Sequence, residues 1–152
     1  MNIEILTYLA ENPIKYGVND NYPIEGIPIS EIEALEVKYN DGKQFPKALR
    51  ELLFLAGDFC YVLEYGAYDT QDELQQSQRD WLVEFGRTFN RNFYVVDLIS
   101  DYENFCFVYT DDGDNPMIYH FSYDNGEIYS LVSLKEYMNT KIDLVKQGFN
   151  PF

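Results

Sequence analysis

Between Phe93 and Leu131 four strand-like runs follow one another with only turns between them, and this order constrains the fold more than any other feature. The runs are Phe93–Ile99, Phe105–Thr110, Met117–Ser122 and Ile128–Leu131. Their many aromatic and β-branched side chains suit a pleated surface. Asp111-Asp112-Gly113-Asp114-Asn115-Pro116 separates the second run from the third, and Asp, Gly and Pro each favour turn geometry. Asn125-Gly126 predicts a type I′ hairpin between the third and the fourth. Consecutive strands of this kind form a mainly antiparallel sheet, with helices segregated to one side.

Helical signals surround this block. Ser30 and Glu33 have capping-box spacing. Ile32, Leu35 and Tyr39 then share one helical face. Pro46 suits a first helical turn, and Leu49, Leu52, Leu53 and Ala56 continue from it as a buried stripe. Gly57 reads as a left-handed stop. Cys60–Tyr65 (CYVLEY) reads as a further strand, ended by Gly66. Thr70 and Glu73 open a third helix with Leu74, Trp81, Leu82 and Phe85 inward, Arg79, Asp80 and Glu84 in solvent, and Gly86 at its end. Ser133 and Glu136 open a last helix with Leu134, Tyr137, Met138, Ile142 and Val145 inward, closed by Gly148. Residues 1–29 read as an accessory N-terminal segment: Ile3, Leu6 and Leu9 fit a short helix or an extended arm, followed by a loop with Pro13, Pro23 and Pro28. Residues 30–148 form the main domain and 149–152 a tail. The expectation is a single α+β domain, with a mainly antiparallel sheet of about five strands and about four helices packed against it.

A chain of 152 residues suits one domain, and 46% hydrophobic residues are ample for a core. No run approaches the ~18 apolar residues of a membrane span. The start, MNIEILTYLAEN, lacks the basic region of a secretory signal, so a cytoplasmic protein is expected. The net charge is −15, from 26 acids against 11 bases. That sign argues against nucleic acid and anionic membranes as partners and favours a partner with a basic face. From Asn92 to Leu134 there is no Lys or Arg but eight acids: Asp97, Asp101, Glu103, Asp111, Asp112, Asp114, Asp124 and Glu127.

Tests for chemistry return little. No G-x-S-x-G elbow, P-loop or G-x-G-x-x-G occurs. Cys60 and Cys106 lack CxxC partners and read as small buried apolar side chains rather than a disulfide or a nucleophile. His120, the only histidine, has no triad partner and reads as structural. Asp111, Asp112 and Asp114 could hold a cation through clustered carboxylates, but the EF-hand pattern is absent and an acidic turn is the simpler reading. The turn acids stay hydrated, which does not suit general acid–base work. Trp81 reads as core, with a partner anchor as the alternative. No catalytic residue, metal site or cofactor is expected, and the chain reads as non-enzymatic.

The helical pair Ser30–Gly57, with Ile32, Leu35–Glu36 and Phe45–Pro46, resembles the opening of the SUKH superfamily of Smi/Knr-like domains. The strand Asn115–Phe121 and the Ser133–Met138 helix start resemble its close, so the likeness spans roughly Ile29 to Val145. The Gly57-Asp58 loop and the 28 residues before the usual start depart from the family pattern. Bacterial members commonly act as immunity proteins that bind and block a cognate toxin, often a nuclease. The resemblance therefore implies a toxin domain with a basic surface as partner, and the chain's acidity agrees with it. Turn placement and charge put Asp101, Tyr102, Glu103, Asp111, Asp112 and Asp114 at the partner surface, with Tyr68 and Asp69 as a second set. An intracellular adaptor or regulatory scaffold, as in fungal relatives, is the alternative.

Overall fold

The computed structural model describes residues 1–14 and 22–149. Part of the proline loop and most of the expected tail lie outside the described residues. Five helices and four strands follow in order: α1 (Thr7–Glu11), α2 (Ile29–Tyr39), α3 (Lys47–Ala56), α4 (Gln71–Glu84), β1 (Phe93–Ile99), β2 (Asn104–Tyr109), β3 (Met117–Ser122), β4 (Ile128–Ser133) and α5 (Leu134–Lys146). The sheet is an antiparallel meander in the order β1-β2-β3-β4. It has four strands rather than five because Cys60–Tyr65 forms no strand. That segment is a buried loop; only the preceding residue, Phe59, bridges to Glu25.

The helices do not share one side of the sheet. Tyr94, Val96, Cys106, Val108 and Ile118 face a core formed with α1, α2, α3 and α5. Phe93, Val95, Leu98, Phe105, Phe107 and Phe121 face a second core with Leu74 and Leu82 of α4. A β-bulge between Val95 and Asp97 reconciles the two faces. The extra residue turns both Val96 and Asp97 toward the larger helical layer, where strict alternation would have put Asp97 among the phenylalanines.

In the segment set apart as 1–29, the described residues Leu6, Leu9 and Ile27 belong to the same core. Leu6 and Leu9 are fully buried. The Glu51 carboxylate, itself buried, accepts the backbone N–H groups of Glu4 at 2.8 Å, Ile5 at 2.9 Å and Leu6 at 2.8 Å. Glu36 does similar work between α2 and α3: its Oε2 accepts the Phe45 N–H at 2.5 Å and lies 3.1 Å from Arg50 Nε.

Capping at Thr70 and Ser133 follows the expected pattern, with each side chain accepting the N–H three residues on. The Ser30 box does not form. The cap of helix α2 lies two residues earlier, at Pro28, whose ring provides no capping oxygen. Gly57 is not a left-handed stop either, for its φ is −69°. Glycine is needed there for space: a Cβ would lie 2.5 Å from Leu53 O and 2.9 Å from an Ile27 methylene. The β3–β4 connection is a hairpin, but residues 123–127 form a longer loop than type I′, and only Gly126 has positive φ.

Helix α4 departs most from its apolar reading. Its buried stripe contains Gln71, Gln75 and Gln78 beside Leu74 and Leu82, while Trp81 and Phe85 are 49% and 46% exposed. The Gln75 amide pairs with the outer edge of β1: Oε1 accepts the Val95 N–H at 2.9 Å and Nε2 donates to Val95 O at 2.8 Å. Arg79, expected in solvent, donates to Phe93 O at 2.7 Å. Farther along, Glu64 O accepts the Leu98 N–H at 2.9 Å. These groups satisfy an edge that would otherwise present open backbone to other chains. Replacing Gln75 with Ala should therefore cost about 2–3 kcal/mol, because two buried backbone groups lose their partner. A shift of the urea midpoint at unchanged slope checks this; a loss under ~0.5 kcal/mol would show the pairing to be dispensable.

Candidate interaction surface

The β1–β2 turn carries Ser100, Asp101 and Tyr102, and all three have left-handed backbones, with φ of 52°, 54° and 71°. Non-glycine residues rarely adopt this region, and such strain persists only where the surroundings impose it. Hydrogen bonds from Tyr102 N–H to Ile99 O and from Glu103 N–H to Ser100 O, both 3.1 Å, close the turn. The β3–β4 turn lies at the same end of the meander, tied to it by the Tyr123 N–H donating to Glu103 O at 3.2 Å. Asp101 and Glu103 are thus brought to the same end as Asp124 and Glu127, all four exposed.

Aromatic rings border these acids. Tyr102 is 44% exposed. Burial and then the neighbouring Glu64, Tyr68 and Asp101 push its hydroxyl above the usual tyrosine range. Tyr68 also influences Tyr123, whose ring lies 5.3 Å from Phe85, and Phe85 lies 5.9 Å from Trp81. The Tyr68 hydroxyl is within 2.7 Å of Ser77 Oγ on α4. The surface therefore joins Tyr68 from the second set to Asp101, Tyr102 and Glu103 from the first. Asp69 stays nearby at the start of α4, its N–H donating to Glu73 at 3.0 Å. Trp81 is not core. The sequence signal for its exposure was the run of glutamines at positions 71, 75 and 78, which occupies the inward face in its place.

Asp111, Asp112 and Asp114 are not brought into this surface, because their turn joins β2 to β3 at the opposite end. Two of these residues serve the fold there. Asp112 Oδ2 accepts the Met117 N–H at 3.1 Å, and Asp114 O accepts the Ala48 N–H at 2.8 Å. Asp111 pairs with Arg91 at 2.5 Å, which holds its carboxyl below the usual range.

Beneath the Ser100–Tyr102 turn lies a cleft of about 380 Å³, lined in part by Glu64, Asp97 and Lys141. Asp97 is only 1% exposed. It accepts from the Tyr137 hydroxyl at 2.6 Å, Lys141 Nζ at 2.8 Å and the Glu64 N–H at 2.8 Å. The neighbouring Cys106 Sγ is 3.6 Å from the Tyr137 hydroxyl. Burial pushes the Cys60 thiol up to about 12 and the Cys106 thiol up to about 11, so neither forms a nucleophilic thiolate near neutral pH. Burial also lowers the His120 imidazole below its ordinary value; its ring stacks on Tyr129 at 4.6 Å. Every acceptor position of Asp97 that is filled here serves the fold, and the cluster has the composition of a structural lock.

Among the described residues no group of three His, Cys, Asp or Glu side chains could hold a metal ion, and no helix is long and apolar enough to cross a membrane. No family model, curated protein or solved structure matches the chain.

Replacing Lys141 with Met should cost about 3–5 kcal/mol by leaving Asp97 charged and unpaired in the interior, measured by urea unfolding. Asp111→Asn, at an exposed pair, should change stability by less than ~1 kcal/mol in the same assay. Alkaline pH should also weaken the fold. Cys60 and Cys106 are raised from 9.0, and Tyr39 and Tyr61 are raised from 10.0 to about 12. The folded chain keeps these protons while the unfolded chain releases them, so the associated stability is complete below pH 9 and lost as pH rises toward 12. Unfolding midpoints recorded at pH 8 and pH 11 check the sign; equal midpoints would contradict it.

Proposed function

We propose that this chain is a non-enzymatic cytoplasmic binding protein of the immunity type, which neutralises a cognate toxin domain, a nuclease, by covering its basic face. The observation that carries this reading is the set of exposed rings, Tyr102 between Asp101 and Glu103 and the Trp81–Phe85 pair against Tyr123, which precedes Asp124, at the end of the sheet that also holds Glu127. Aromatic anchors surrounded by charge are the usual composition of a tight protein interface. The resemblance to SUKH domains and the net charge of −15 support the same reading.

The division of labour follows from the physics. A nuclease holds phosphates with Lys and Arg, so it presents a positive surface. The acids accelerate encounter with that surface, in a manner weakened by salt. Water-excluded aromatic contacts then slow dissociation. Asp111, Asp112 and Asp114, at the far end of the sheet, contribute to the long-range field rather than to the contact.

Co-expression is the direct test: the chain restores growth of cells producing its cognate toxin domain, and failure of rescue by a well-folded chain overturns the reading. In binding kinetics, Asp101→Lys with Glu103→Lys should slow association about tenfold at low salt and flatten its salt dependence. Trp81→Ala should instead raise the dissociation rate, for a loss of ~2 kcal/mol or more.

A further inference from the structure

We propose that a second site, the cleft lined by Lys38, Arg79 and Arg91, binds a small phosphate-bearing anion with the Arg79 guanidinium as its fixed receptor. This goes beyond the toxin-binding reading and does not depend on it. Only 11 of the 152 residues are Lys or Arg, yet three of them line one cleft of about 300 Å³ between α2, α4 and the residues leading into β1. Asn90 and Asn92 add polar side chains to its wall, and Asp41 is the one carboxylate among its lining residues.

Arg79 has no directly paired carboxylate, Asp72 acting on it only from a distance. Its guanidinium lies between the rings of Tyr39 and Phe93, 4.3 Å from each centroid. Nη1 donates to Gln75 O at 3.0 Å and Gln75 Oε1 at 3.1 Å, and Nη2 donates to Phe93 O at 2.7 Å. All three acceptors are neutral, and among the described residues no carboxylate forms an ion pair with it. Burial accordingly pulls its ionisation down to about 10. A largely desolvated charge ordinarily has a counter-charge. Arg79 is half-buried and lines the cleft. The two rings and Gln75 fix the planar fork in advance, so little side-chain freedom remains to be lost on binding.

Lys38 and Arg91 are the movable partners. They pair with Asp72 at 2.8 Å and Asp111 at 2.5 Å across half-exposed contacts, which contribute little and exchange readily. When Lys38 and Arg91 exchange Asp72 and Asp111 for the ligand, three cations face one cleft and match a phosphate dianion better than a single carboxylate. The chain's overall negative field disfavours a polyanion, whereas a small ion inside the cleft, within a screening length of ~8 Å, responds chiefly to the local cations. The volume suits a metabolite rather than a macromolecule.

The test is a titration of the isotope-labelled full chain with inorganic phosphate at constant ionic strength, following the Arg79 Nε–H and the Asn90 and Asn92 side-chain amide signals by NMR. Acetate serves as the carboxylate comparison. The expected result is a saturable shift confined to these signals, with phosphate at least about tenfold tighter than acetate, the equivalent of one extra charge-assisted hydrogen bond. Lys38→Gln with Arg91→Gln, both at exposed positions, should leave the spectrum folded and weaken phosphate binding by about tenfold or more. No saturation, equal binding of acetate, or indifference to the double substitution overturns the proposal. Toxin rescue by that double variant is read separately, so loss of the phosphate site and loss of the immunity reading remain distinguishable.

Discussion

The burial of Asp97 is the constraint on which much of the structure depends. A carboxylate in an apolar core is tolerated only when its oxygens are occupied and its charge is opposed. Tyr137 and Lys141 from α5 and the Glu64 backbone meet those requirements together. Three separate parts of the chain are thereby fixed relative to one another: the last helix, the first strand and the loop after α3. The β-bulge before Asp97 makes this possible by rotating the residue toward α5. It also leaves Leu98 facing the phenylalanine layer, so one irregularity serves both cores.

The edge of the sheet is handled by a similar exchange of polar groups. A glutamine amide carries a donor and an acceptor at the spacing of a peptide group, so Gln75 stands in for a neighbouring strand at Val95. Gln71 joins the same layer by donating to Gly57 O at 2.7 Å and accepting from the Tyr94 hydroxyl at 2.8 Å. Gln78 accepts from the Tyr123 hydroxyl at 2.7 Å. A helix with a partly polar inner face is thus appropriate here, because it covers a backbone edge as well as an apolar surface. Its aromatic residues are released to the outside, where Trp81 and Phe85 meet the acidic turns.

The charge distribution acquires a different meaning in three dimensions. Asp97 belongs to the interior, Asp111 is opposed by Arg91, and Asp112 holds its own turn. The four acids at the opposite end of the sheet retain no ion pair among the described residues. They share that end with exposed rings, the arrangement on which the proposed binding role rests. Arg87, donating to Asp124 O at 2.9 Å, and the cationic cleft around Arg79 are local exceptions to the acidic field.

Local signals in the amino-acid sequence determined a large share of this protein. The limits of β1 and β3, the caps at Thr70 and Ser133, the inward stripe of α3 and the burial of both cysteines each arise from side-chain chemistry within a few residues of chain. Tertiary structure decided what neighbouring residues could not. Cys60–Tyr65 has strand-like composition, but Gln75 and Arg79 occupy the β1 edge at Val95 and Phe93, and the segment reaches that edge only through Glu64 O at Leu98, so it packs as a loop. Gly57 was retained for the approach of Ile27 and Leu53 rather than for its backbone freedom. Trp81 and Arg79 exchanged their expected environments because the surface under α4 is a backbone edge needing donors and acceptors. The exposed surface was legible as charge and turn chemistry, yet its grouping was not: which turns share an end depends on strand pairing, and which acids are neutralised depends on partners far away in sequence.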